Sequence, residues 1–153
     1  MDADALNSIA NDSQLQQLLR ARHARGRQTV LTPHPLEAAR LLGSTTTEVQ
    51  RDRLANAQQL AQRFHCTVVL KGSGTVIATP GIPPVINPTG NARLATAGTG
   101  DALAGMIGAR LANGLPALQA ACEAVWLHGR AADTWPLDQA LTASALAQAS
   151  SVH

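Results

Sequence analysis

Thr67-Val68-Val69-Leu70, followed at once by Lys71-Gly72-Ser73-Gly74-Thr75, is the stretch whose reading decides the fold class. An apolar, β-branched run with no polar alternation suits a strand covered on both faces, as in a parallel sheet packed between helix layers. The turn residues behind it, and the β-prone run Thr75 to Thr79 beyond them, suit a hairpin. Upstream, Gln28 to Leu31 is a second short β-prone run. Thr32-Pro33-His34-Pro35 ends it, because prolines give no ladder donor and disfavour helix in the residue before them. The pattern between the two runs is helical. Pro35 suits the first position of a helix reaching about Leu42, with Gly43 as its stop, and Thr45 with Glu48 forms a capping box. That box opens a longer helix whose Leu54, Ala57, Leu60, Ala61 and Phe64 share one face. Strand, helix and strand in this order make a right-handed parallel crossover, so the expected class is α/β.

Working outward, Asp2-Ala3-Asp4-Ala5-Leu6-Asn7 contains no strand of its own. Asp12 or Ser13 caps a short helix carrying Leu15, Leu18 and Leu19 before the Gly26 stop. Pro80 to Asn91 is expected to be mostly loop, with Val85-Ile86 as a short strand. Asp101 to Leu111 reads as helix, ending at Asn113-Gly114, and Pro116 to about Thr134 as another, carrying Leu118, Ala121, Cys122, Val125 and Trp126. There is no repeat, low-complexity tract or internal linker.

The length of 153 residues favours one domain with a hydrophobic core of its own. Aromatic residues make up only 2% of the chain, so that core must be Ala, Leu, Val and Ile, and recognition of nucleic acid by stacking is disfavoured. A net charge of +2 implies no polyanion partner. Cys66 and Cys122 lack the spacing of a zinc site or redox pair and are expected as buried thiols in a reducing cytosol. The residues Met1 to Leu6 carry no basic-then-apolar leader pattern, and no uncharged apolar run approaches membrane-spanning length. A soluble cytoplasmic protein with no nucleic-acid and no membrane partner is expected.

Three constellations could carry chemistry. In Gly98-Thr99-Gly100-Asp101, preceded by Ala95-Thr96-Ala97, two glycines stand at a helix start, where close backbone approach and unpaired amides suit a phosphate. Asp101 either caps those amides or acts as a base, taking a hydroxyl proton as that oxygen attacks a phosphoryl group. Lys71 to Thr75 puts a cation and hydroxyls on the turn leaving a buried strand, beyond the carboxyl end of the sheet, where ligands of α/β folds gather. With its lysine ahead of the glycines it is no Walker A loop, and an ordinary hairpin with an exposed lysine is the alternative. The third is Thr32-Pro33-His34-Pro35-Leu36-Glu37, where His34 could bond a substrate hydroxyl or amide while Glu37 favours a helix start. His128 is assigned to packing and helix hydrogen bonds, Trp126 and Trp135 to core and helix-end packing, and His23, His65 and His153 offer no pattern.

These motifs, with Val69-Leu70 before the lysine turn, Gly90-Asn91, His128-Gly129 and the opening Asp2 to Asn7, resemble in order and spacing the ADP-dependent NAD(P)H-hydrate dehydratases of the ribokinase-like superfamily. The resemblance covers nearly the whole chain. It implies a three-layer αβα sandwich with a mostly parallel central sheet, of which residues 1–153 would be the carboxyl-terminal half to two-thirds. The amino-terminal strands and glycine-rich substrate loop of the family are not matched, which implies a fragment of a larger protein or a truncated gene product. In the family an Asp stands where this chain has Ala145, within Leu141-Thr142-Ala143-Ser144-Ala145-Leu146.

The activity implied is dehydration of the (S)-hydrate of NADH or NADPH, through phosphorylation of the C6 hydroxyl and elimination of phosphate. Asp101 would be the catalytic base and the amides of Gly98, Thr99 and Gly100 the phosphate cradle. Lys71, Gly72, Ser73, Gly74, Thr75 and Gly100 would hold the nucleotide, and His34, Asn91 and Asp101 the hydrate. The implied cofactors are ADP or ATP as donor and Mg²⁺ bridging its phosphates, with no residue of the chain assigned as a metal ligand. A homo-oligomer is expected, as is fusion or functional pairing with an NAD(P)H-hydrate epimerase. Two other classes remain open: a ribokinase-like kinase of a small alcohol or vitamin precursor, and an inactive truncated remnant.

Overall fold

Proline, glycine and acidic caps divide the chain into short segments. The computed structural model describes residues 1–149, so His153 lies outside the described residues. Among the described residues the order is α1 (Ala3–Asn11), α2 (Ser13–Ala24), β1 (Val30–Leu31), α3 (Pro35–Leu42), α4 (Thr46–Arg51), α5 (Arg53–Phe64) and β2 (Thr67–Leu70). It continues with β3 (Val76–Thr79), β4 (Ile82–Ile86), α6 (Thr99–Ala112), α7 (Ala117–Asp133) and α8 (Ala143–Ala149).

The strands form one sheet in the order β1-β2-β3-β4. β1 and β2 are parallel, with Val30 opposite Thr67, as the crossover requires. The hairpin after Leu70 makes β2 and β3 antiparallel, and β3 pairs antiparallel with β4. The sheet is therefore mixed, and the mostly parallel arrangement holds here only for β1 and β2, because short turns can join only antiparallel neighbours. Side chains alternate across the sheet and build two cores. Leu31, Val68, Leu70, Val76 and Ala78 pack with α1, α2, α3 and α5, whereas Val30, Val69 and Ile77 pack with α6 and α7. Helices thus cover both faces, the three-layer α/β arrangement.

Several boundaries follow from local chemistry. Asp12 accepts the Gln14 and Leu15 amides at 2.7 and 3.2 Å and starts α2. Gly43, at φ 70, closes α3 where the side-chain-free residue was expected.

Other expectations are corrected. The opening motif holds no strand, as expected, but adds a helix that was not foreseen, α1, which buries Leu6 and Ile9. The helix foreseen from Thr45 to Phe64 is two helices: Asp52 leaves helical geometry at φ −142, and its carboxylate takes the Ala55 amide at 2.9 Å, restarting the chain as α5. Leu54, in the first turn of α5, is exposed rather than part of the buried face, as are Leu18 and Trp126. β4 is longer than Val85-Ile86 and runs through Pro83 and Pro84. Its ladder partners are Ile82, Val85 and Ile86, so on an outermost strand the prolines forfeit no required donor. Both cysteines are free thiols; Cys66 is buried, its thiol pushed up to about 12, while Cys122 is only half-buried. No helix among the described residues is long and apolar enough to cross a membrane.

Candidate active site

The turns leaving the carboxyl ends of β1 and β2 open onto one cleft of about 740 Å³, closed by the start of α6, the side of α7 and the loop between β4 and α6. That size suits a small-molecule ligand. Gly72, Gly74, Gly90, Gly100 and Gly129 are among the residues that line it, so backbone is accessible at several points.

At the start of α6, Gly98 takes φ 83, a conformation an L side chain resists, and offers no capping side chain. The loop before it is pinned by Thr99, whose buried hydroxyl lies 2.7 and 2.8 Å from the carbonyls of Leu94 and Thr96. The Thr99 amide is turned back to Thr96 at 3.3 Å, and the helix ladder begins only with Ala102 bonding Gly98. The amides of Gly100 and Asp101 have no acceptor among the described residues, so the helix start is an open anion cradle. Asp101 lies on its first turn with an exposed side chain that makes no hydrogen bond or ion pair among the described residues. Of the two roles left open, the cap is thus not the one adopted. Neither Asp101 nor Gly98 forms part of the cleft wall.

The lysine turn faces that cradle. Lys71 donates its own amide to Pro33 at 2.9 Å, tying the two strand-end loops together, and Thr75 bonds the Gly72 carbonyl at 3.0 Å. Arg53 braces the turn from behind, donating to the carbonyls of Leu70, Lys71 and Gly74 at 3.1, 3.4 and 3.3 Å. A Cβ on Gly72 would run into that guanidinium. Burial lowers the pKa of Arg53, but three carbonyl acceptors suit it as a cation. The Lys71 ammonium is not simply exposed: it meets the Asp2 carboxylate at 2.8 Å.

Two expected substrate contacts prove to be committed elsewhere. His34 is the N-cap of α3: Nδ1 accepts the Leu36 and Glu37 amides at 3.2 and 3.3 Å, while the Glu37 carboxylate takes the His34 amide at 2.8 Å. Its neutral tautomer therefore carries hydrogen on Nε2, which lies 3.4 Å from the same carboxylate. The ring edge still borders the cleft. Asn91 donates to the Ala132 carbonyl and the Asp133 carboxylate at 3.0 and 3.1 Å and accepts the Arg93 amide at 3.0 Å. Its amide nitrogen holds the loop to the end of α7, and its oxygen caps the turn that follows within the loop.

His128 takes the packing role expected of it, and more. A carbonyl can only accept, so Nε2–H donates to Thr99 at 2.9 Å, locking α7 to the start of α6. Burial lowers its pKa, so the ring is neutral at pH 7. Beside it, a Cβ on Gly129 would strike the Thr89 hydroxyl and lie 2.6 Å from the Thr89 carbonyl carbon and 2.8 Å from the Gly90 nitrogen. That glycine lets the cleft's loop cross α7 at backbone distance. In α8, Thr142 accepts the Ala145 amide at 3.2 Å, a helix-start contact that needs nothing from the side chain at position 145.

Asp2 and Arg53 were missed as site residues. Asp2 stands in a quoted motif, but only the fold brings it to Lys71; Arg53 has no local signal at all.

A model of the NAD(P)H-hydrate dehydratase family matches residues 1–152. The ADP-dependent (S)-NAD(P)H-hydrate dehydratase of Neisseria meningitidis serogroup B is 48% identical over 148 residues, covering 96% of this chain and 48% of that protein. The bifunctional NAD(P)H-hydrate repair enzyme Nnr of Escherichia coli K12 is 46% identical over 132 residues, 86% of this chain and 24% of the relative. Among solved structures, the ADP/ATP-dependent NAD(P)H-hydrate dehydratase of Bacillus subtilis, co-crystallised with ATP/Mg²⁺, is 37% identical with a TM-score of 0.73, over 82% of this chain and 46% of that one. The chain thus spans about half the length of the dehydratases it matches and about a quarter of that of the bifunctional enzymes.

Proposed function

The chain belongs to the NAD(P)H-hydrate dehydratase family, and on that premise we propose that it carries the nucleotide-binding and phosphoryl-transfer part of an ADP-dependent (S)-NAD(P)H-hydrate dehydratase. The observation that carries this is the pairing of an open helix start, with the Gly100 and Asp101 amides unsatisfied, with the Lys71 turn across one cleft. Phosphates of ADP or ATP would lie between them. Lys71 supplies charge, the unsatisfied amides of Gly100 and Asp101 supply donors while that of Thr99 is spent on Thr96, and the glycines of the Lys71 to Thr75 turn allow close approach.

Asp101, unpaired and outside the nucleotide cleft, suits a base that meets the hydrate from the other side of the helix start. It takes the proton of the C6 hydroxyl as that oxygen attacks the terminal phosphoryl group, and AMP leaves if the donor is ADP. The ring-nitrogen lone pair then expels phosphate, and loss of the C5 proton restores the double bond of NAD(P)H. Hydroxide would be a far poorer leaving group than phosphate, which is why a phosphoryl donor is needed. His34 and Asn91 act indirectly, by fixing the loops that wall the cleft.

Mg²⁺ fits this protein poorly as a resident ion, since no three His, Cys, Asp or Glu side chains converge among the described residues. It would come with the nucleotide, screening phosphate charge. A chain that spans about half of a dehydratase fits part of one dehydratase domain, and residues 1–153 are assigned to its carboxyl-terminal half to two-thirds as part of the same proposal. A homo-oligomer, a cytoplasmic location and pairing with an epimerase belong to the same proposal. Calorimetric titration with ADP tests the cleft, and recovery of NADH absorbance from its hydrate with ADP tests the reaction. A kinase of a small alcohol would instead accumulate a stable phosphoester without restoring NADH.

A further inference from the structure

Asp2 has no part in the mechanism so far. Aspartate is a strong N-cap and Asp2 occupies the N-cap position of α1, yet its carboxylate caps nothing there. It binds Lys71 instead, at 2.8 Å, and the two side chains are only 11% and 22% exposed. The backbone turns sharply to allow this: Ala3 has φ 47, a left-handed conformation that residues with a Cβ avoid, so α1 begins on a bend that aims Asp2 away from its own amides. A Cβ on Gly100 would lie 3.3 Å from the Lys71 ammonium and 3.8 Å from Asp2 Oδ2, so the pair rests against the first turn of α6. Lys71 is also the only lysine in the sequence. A compact ammonium with rotatable donors can pass from one oxyanion to another, where an arginine fork would grip both carboxylate oxygens.

We propose that Asp2 is a positioning residue of this site: its carboxylate holds the Lys71 ammonium at the start of α6 while the cleft is empty and yields it to the nucleotide phosphate on binding, a role that rests on the nucleotide reading of the cleft. Asp2 is thereby also a built-in competitor. It keeps the empty site neutral, stops Lys71 from swinging into solvent, and weakens phosphate binding enough to permit release.

A single lysine makes the test direct. With isotope-labelled lysine the protein gives one side-chain ammonium signal in NMR, readable without any activity. In the ligand-free chain Asp2→Asn moves that signal to the position of an unpaired ammonium, and Asp2→Glu keeps it near the parent's. Calorimetry shows ADP bound about three- to tenfold more tightly by Asp2→Asn, because a carboxylate beside the phosphates has been neutralised. A Lys71 signal indifferent to Asp2→Asn overturns the proposal, as does ADP affinity that is unchanged or lowered. Should Asp2→Asn fail to fold, pyrophosphate added to the parent chain decides: it must shift the Lys71 signal, and an unmoved signal refutes the hand-over. Failure of the parent chain to bind ADP counts against the nucleotide reading, whereas the ligand-free response to Asp2→Asn decides the ion pair on its own.

Discussion

Gly129→Ala adds one methyl group where the structure has no room for it. The new carbon would meet the Thr89 hydroxyl, the Thr89 carbonyl carbon at 2.6 Å and the Gly90 nitrogen at 2.8 Å. Two of these three are backbone atoms, which no rotamer change can remove. Alanine is otherwise the better helix former, so the substitution would gain up to about 1 kcal/mol in an open helix. Overpacking costs about 1 to 3 kcal/mol, and here it dominates. For a domain of this size each kcal/mol moves Tm by about 2 to 4 °C, so a net loss of about 1 to 2 kcal/mol should lower Tm by roughly 2 to 8 °C in calorimetry. The loop that must give way is a wall of the cleft, so ADP affinity falls as well. Gly108→Ala, on α6 with nothing within 4 Å of the added carbon, is the control and should gain about 0.5 to 1 kcal/mol. Equal Tm shifts for the two variants, or a Gly129→Ala protein as stable as its parent, would refute the steric argument.

Lys71→Ala removes a charge-assisted phosphate contact of roughly 1.5 to 3 kcal/mol, so calorimetric ADP affinity should drop about ten- to hundredfold. Asp101→Asn, in a protein that turns over hydrate, should lower the rate of NADH recovery by about 10²-fold or more while ADP binding stays within a few-fold; near-parental turnover would remove Asp101 as the base. His128 has a lowered pKa in the fold, so the unfolded chain takes up a proton first as pH falls. Stability from this residue is full above its ordinary value of 6.5 and declines below it, and a pH series of Tm should show that decline in the parent and lose it in His128→Asn. Outermost β4 exposes Ile82, Val85 and Ile86, so light scattering of the chain alone should reveal self-association, and a monodisperse monomer at high concentration would count against it.

Elements bounded by short-range chemistry were legible in the residues themselves. The span Pro35 to Leu42 follows from a proline that suits a helix start and a glycine that ends the helix, and Thr67 to Leu70 from an unbroken apolar run. The hairpin and the parallel pair followed from those two. What stayed hidden depends on partners distant in sequence. The opening helix begins on Ala3 in a conformation that no propensity favours, held by a contact to Lys71. Asp52 reads equally well as an exposed helical residue or as a cap, and the tertiary packing of α5 decides. Two adjacent prolines argue against a strand unless it is outermost, which one chain segment cannot reveal. In the site, residue types announced the glycines, the lysine and Asp101. The polar atoms of His34 and Asn91 looked available because neither the capping geometry that ties His34 to Glu37 nor the approach of Asp133 to Asn91 could be assigned before the loops were folded.

The cradle at the start of α6 is shaped by the chain's own contacts. Thr99 is held by its hydroxyl, its amide and, through its carbonyl, by the neutral ring of His128, so three separate tethers fix a single turn. Little conformational entropy is left for a nucleotide to remove there, and encounter needs no folding of the helix start. Association should then be limited by diffusion and by the exchange of Lys71 between oxyanions, giving a single concentration-dependent phase in stopped-flow mixing with ADP. Cutting a tether, as in Thr99→Ala, should slow the approach and add a second phase whose rate no longer rises with ADP, the kinetic mark of a chain that must order itself first.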